Sequence, residues 1–104
     1  MATTTVAMAR TAAATSSATL YTVPNTTTTS IVTNIVLANA ATSASSATIV
    51  IDGKTIVPAV SIPANSVVGF DMKQVIPANA TPKTITGFAS TTAVTIHISG
   101  VEIS

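Results

Sequence analysis

Four side chains hold the acid–base capacity available near neutral pH: Asp52, Asp71, Glu102 and His97. General acid–base work needs such groups within hydrogen-bond reach of one substrate. A glycosidase-like carboxylate pair could draw only on Asp52 and Asp71, and Asp52 is already accounted for by its place in an Asp52-Gly53 turn. A Ser–His–Asp triad would need His97 and Asp71, yet no Gly-x-Ser-x-Gly elbow is present. A lone imidazole without clustered carboxylates or thiols makes no metal site. With no Cys, thiolate chemistry, Cys-ligated zinc and disulfides are excluded, and four dispersed glycines form no phosphate loop. The inventory therefore predicts no enzyme, no catalytic residue, no cofactor and no metal. His97, between Thr95 and Ser99, reads as a solvent-facing or interface histidine.

Sugar binding would call for an aromatic platform. The aromatic stock is Tyr21, Phe70 and Phe88; both Phe read as core and Tyr21 as an interface or core-edge residue. Asn25-Thr26-Thr27 and Asn79-Ala80-Thr81 match glycosylation acceptors, but Thr is so frequent that chance explains them. No small-molecule substrate is expected.

The chain has 104 residues, one domain's worth. Only 7% are charged, and 47% are hydrophobic. That combination is the reverse of the disorder signature. Four scattered cations make no nucleic-acid footprint. Thr, Ser or Asn interrupts every apolar run well before membrane-spanning length. Met1–Ser17 has no basic start and no apolar h-region, so it reads as no signal peptide and the chain as made in a cytoplasm. Thr and Ser number 21 and 11, and with net charge +1 they leave a neutral, hydroxyl-rich surface prone to association.

What must position these groups is β structure. Met1–Ser17 lacks any sustained period and reads as an arm, extended or disordered until a partner orders it. From Ala18 on, β-branched residues dominate and short apolar runs alternate with turn residues. Strands are predicted at Leu20–Val23, Ser30–Ala38, Thr48–Ile51, Lys54–Ile62, Ser66–Val75, Thr84–Ala89 and Val94–Ile103. Asp52-Gly53 predicts a hairpin, and Pro58 an edge or a break. In the return strand Ile56, Val60 and Ile62 share a face. Ile62-Pro63-Ala64-Asn65 recurs as Ile76-Pro77-Ala78-Asn79, each a corner leaving a strand. Gly87 suggests a kink, and Gly100 a bulge that reverses the parity of Val101 and Ile103.

The expected fold is all-β: a single antiparallel, jelly-roll-like sandwich of seven or eight strands over residues 18–104, with the arm at 1–17. Its core is aliphatic, including Ile31, Ile35, Leu37, Ile49, Ile62, Phe70, Ile85, Phe88, Ile96 and Ile98. So small a core favours oligomerisation. Ser30–Ala38 is apolar on both faces, so it is either buried on both or meets another subunit. The candidate interface residues are Val6, Met8 and Arg10 on the arm, with Tyr21, Val32, Val36 and His97 on the body.

Leu20-Tyr21-Thr22-Val23-Pro24, the Ser30–Asn39 strand, Ile62-Pro63-Ala64-Asn65-Ser66 and the close Val94–Ile103 stand in an informative order. Over Thr19–Ser104 this resembles a group of small tailed-bacteriophage virion proteins, differing in Asn25 where members often carry Gly. Such proteins serve as head decoration, minor tail or fibre-associated parts. The resemblance implies a virion protein made in a bacterial cytoplasm. The favoured expectation is a decoration, or cement, protein on the exterior of the head, a homotrimer partnered with the major capsid protein. The alternative is a minor tail or head-fibre part that presents a receptor-binding component.

Overall fold

The computed structural model describes Thr3–Ser104. It is all-β, with eight strands: β1 (Thr3–Ala12), β2 (Ala18–Thr22), β3 (Thr29–Asn39), β4 (Ser45–Ile51), β5 (Lys54–Ile62), β6 (Ser66–Ile76), β7 (Thr84–Ala89) and β8 (Val94–Ile103). They form two four-stranded antiparallel sheets, ordered β1-β8-β3-β6 (sheet A) and β2-β7-β4-β5 (sheet B). Successive strands cross between the sheets, apart from the β4–β5 hairpin, and this order is that of a jelly roll.

The hairpin forms as its residues demand. Asp52 and Gly53 both take positive φ (51° and 75°), the requirement of a type I′ turn. Pro58 lies on β5, the edge of sheet B, where a missing N–H costs no ladder bond on the open side. Next to it Ala59 has φ 48°, and β5 runs out of register with β4 on both sides of Val57. That irregularity turns Val57 inward and leaves Ile56 exposed, so Ile56 does not share the inner face with Ile62. The two Ile-Pro-Ala-Asn corners end β5 and β6, each closing on a fully buried Ile. They turn differently: Asn65 takes φ 51°, whereas Asn79 accepts the Thr81 amide with its side chain at 3.0 Å.

The core lies between the sheets and is aliphatic. Ile35, Leu37, Ile96 and Ile98 of sheet A meet Ile49, Ile62 and Ile85 of sheet B, all fully buried. Two expected core residues lie elsewhere. Phe88 alternates with the buried Ile85, Gly87 and Ala89 and is half-buried on the outer side of sheet B. Ile31 is half-buried on the outer side of sheet A, flanked by the buried Ser30 and Val32.

The largest difference from the sequence reading concerns Met1–Ser17. Within the described part of that segment, Thr3–Ala12 is a strand of sheet A, paired along its length with β8. Met8, Ala9 and Ala13 belong to the core, so this stretch is a wall of the sandwich and no free arm. Its small residues hid it: Ala and Thr carry little periodic signal, and an irregularity between Ala7 and Ala9 places Met8 and Ala9 on the same buried side.

Gly100 and Gly87 also act differently from expectation. β8 alternates without interruption, so Val101 and Ile103 remain on the face of Thr95 and His97, and Gly100 and Glu102 point inward. The extra residues lie in its neighbours, β1 at Met8 and β3 at Thr33. β7 pairs regularly with β4 through Gly87, and the shift lies in β2 between Thr19 and Tyr21. At Gly87 the Leu20 and Ile49 side chains and the Thr48 carbonyl leave no room for a Cβ.

Candidate functional site

The seven candidate interface residues separate into three environments. Val32 is fully buried and Met8 nearly so. Both therefore belong to the core and offer nothing to a partner. Val32 is inward because the extra residue at Thr33 reverses the β3 alternation between Val32 and Ile35. Val6 is half-buried against the same core.

Arg10, His97 and Val36 are brought together. Register places Arg10 opposite His97, and His97 opposite Val36, in one transverse row across the outer face of sheet A. Arg10 and His97 are exposed and Val36 is half-buried. The adjoining rows are Ala12, Thr95, Ala38 and Val67 on one side, and Ala7, Ser99, Asn34 and Asp71 on the other. Beyond the latter, Thr5, Val101, Ile31 and Val75 form a stripe that is apolar apart from Thr5. The extra residues in β1 and β3 leave an open depression of about 360 Å³ in this face, lined by Val6, Arg10, Thr33, Ser99 and Val101. The outer face of sheet A is thus broad, mostly apolar or hydroxylic, and marked by Arg10, His97, Asp71 and Lys73.

Tyr21 has a different place. From β2 of sheet B its hydroxyl reaches across to sheet A, 2.8 Å from the Ser30 hydroxyl, and donates to the Glu102 carboxylate. Ser30 is fully buried. This polar tie joins the two sheets, and the continuous alternation of β8 is what brings Glu102 inward to it. Burial, and then the acceptor carboxylate of Glu102, push the Tyr21 phenol up to about 12 from its ordinary value of 10.0. The folded state thus holds this proton more tightly than the unfolded chain. Its contribution is complete below pH 10 and is lost as pH rises toward 12. Tyr21→Phe should remove that alkaline loss. Unfolding followed across this range, with phenolate absorbance read from the chain's single Tyr, checks it.

The remaining acids lie apart. Asp52, in the β4–β5 turn, is ion-paired to Lys83 at 3.2 Å, which pins the hairpin to the segment before β7. Both partners are substantially exposed, so this pair contributes little to stability. Asp71 accepts from Asn34 Nδ2 at 3.0 Å on the outer face of sheet A. Among the described residues no three His, Asp or Glu side chains gather as metal ligands. The two acceptor-like Asn residues are engaged locally: Asn25 Oδ1 accepts from the Thr27 amide and from the Thr27 and Thr28 hydroxyls. Asn79 serves its own turn.

Sequence comparison finds no matching family model and no matching curated protein. Comparison of folds does find similar solved structures. A chain of the T13 viral particle of IBDV is similar over 98% of this chain and 31% of its own, with TM-score 0.56 and 16% identity. A chain from the infectious bursal disease virus Gx strain is similar over 97% of this chain and 30% of its own, with TM-score 0.51 and 16% identity. This chain spans about a third of the length of those chains, and the shared feature is the fold.

Proposed function

We propose that this protein is a non-enzymatic virion component that decorates the exterior of a tailed-phage head and cements it. The observation that carries the reading is the outer face of sheet A: four strands wide, rich in Val, Ile, Ala and Thr, and marked by few charges. Such a face suits permanent contact with other subunits better than free solution. The jelly-roll order is a common architecture of viral shells. The similarity to chains of viral particles agrees with that, as do the sequence segments resembling tailed-phage virion proteins.

In this reading the partners are copies of the chain itself, as a homotrimer, and the major capsid protein. The action is mechanical. A body lying across the junction of neighbouring shell subunits adds buried area that rupture must first undo. An ordinary specific interface buries roughly 1,600 Å² in total. Repetition over the shell makes modest individual affinities add up. The acids and His97 have no catalytic part: Asp52 holds a turn, Glu102 ties the sheets, and Asp71 and His97 lie on the contact face.

A minor tail or head-fibre part would use the same fold in small number. The experiment that tests the proposal is absolute quantitation of the chain in purified particles. Decoration requires a copy number that scales with the shell, and a tail or fibre part requires a handful.

A further inference from the structure

The sandwich has four edge strands, and each carries an irregularity of pairing. β5 carries Pro58 and two irregularities. β2 is five residues long, irregular after Thr19, and is followed by Pro24. β1 is interrupted at Met8. β6 runs for eleven residues without Pro between Ser66 and Ile76. Val68, Phe70 and Met72 lean on the core, while Val67, Gly69, Asp71 and the run Lys73, Gln74 and Val75 are exposed. Val67 (61%) and Val75 (56%) are the two most exposed large apolar residues among those described.

We propose that the free edge of β6 pairs antiparallel with β6 of a second copy, about a two-fold axis at Met72. Three features fit this register. With Met72 opposite its own counterpart, Asp71 of each copy lies opposite Lys73 of the other, giving two equivalent cross-strand ion pairs. Val75 lies opposite Gly69 of the second copy, which leaves it space, and diagonal to Val67, which covers it. Cross-strand and diagonal neighbours of this kind are the contacts that stabilise paired strands. The result is a continuous eight-stranded sheet A whose outer faces join into one surface. The inference rests on the edge alone and needs no shell. A two-fold contact cannot close a ring of three, so it is distinct from the trimer and would link copies in pairs.

The test is sedimentation velocity and native mass spectrometry of the whole chain at micromolar concentrations. The comparison is between the wild type, Asp71→Lys, Lys73→Asp and the charge-swapped double variant, with circular dichroism to establish folding. The wild type should form dimers, or pairs of larger units. Each single variant places like charges opposite one another twice and should weaken the contact about tenfold. The double variant should restore it, an outcome that loss of folding cannot mimic. A wild type that stays monomeric or purely trimeric overturns the proposal. So does a dimer that responds to neither single change, or that the double variant fails to rescue.

Discussion

Gly100→Ala is expected to be among the most destabilising single-methyl additions the fold can receive. A Cβ at Gly100 would collide with the Ile31 carbonyl oxygen and stand 2.5 Å from Met8 Cε and 3.0 Å from Met8 Sδ. The methionine could swing aside, but the carbonyl belongs to β3, which pairs with β8 on that side. Relief requires the two central strands of sheet A to part. Overpacking commonly costs 1–3 kcal/mol; a clash with backbone at the centre of a sheet belongs at or above the top of that range, about 3 kcal/mol. For a domain of this size that is a fall in Tm of roughly 10–20 °C. Met8→Ala added to Gly100→Ala should not rescue it, because the carbonyl remains. Thermal unfolding of both variants measures this, and recovery in the double variant would show that the side chain, rather than the backbone, sets the limit.

The second large effect lies at Asn39. This side chain is 2% exposed at the end of β3 and organises the loop to β4. Its Nδ2 donates to the carbonyls of Ser43 (3.0 Å), Ile62 (3.1 Å) and Pro63 (3.2 Å). Its Oδ1 accepts from the Ala41 amide at 3.0 Å and the Ser45 hydroxyl at 3.4 Å. One residue thereby ties the loop of sheet A to the end of β5 in sheet B. Asn39→Ala strips partners from several buried groups at once. Each unsatisfied group costs about 1–3 kcal/mol, and a total of roughly 3 kcal/mol is expected. Asn39→Asp keeps the shape but turns an acceptor toward three carbonyl oxygens. A carboxyl there can donate only when protonated, so its folded-state pKa must rise above the unfolded value. The Asp variant should therefore gain stability relative to wild type as pH falls from 7 toward 3. Denaturant unfolding at the two pH values checks the sign, and an equal deficit at both would refute the donor role.

Much of the architecture was legible because its determinants are local. Asp52-Gly53 marked the hairpin, Pro58 marked an edge, and the repeated Ile-Pro-Ala-Asn marked two strand ends. Ile96 and Ile98, expected in the core, are fully buried there, and Phe70 packs against it. What stayed hidden depends on the partner strand. Met8 and Thr33 are extra residues only with respect to β8, and nothing in their own types announces it. The β3 irregularity exchanges Val32 and Ile31 between core and surface. A visible Gly at position 100 drew the phase change to the wrong strand. With β8 taken as continuous, Glu102 falls on the parity of Ile96 and Ile98, and the tie to Tyr21 could have been anticipated. Thr3–Ala12 was obscured for another reason: seven of its ten residues are exposed, and its two buried ones, Met8 and Ala9, are adjacent and so show no alternation. Of the candidate contact residues, Arg10, Val36 and His97 do share one face, a relation that only the β1-β8-β3 order creates.

The exterior shell role is tested most directly by counting this chain against the major shell protein in purified, intact particles, by mass spectrometry with isotope-labelled peptides. Decoration predicts on the order of hundreds of copies per particle, a fixed ratio to the shell protein, and loss of the chain with the shell surface rather than with the tail. A handful of copies that follows the tail or fibres when particles are taken apart, or no copies at all, would contradict it.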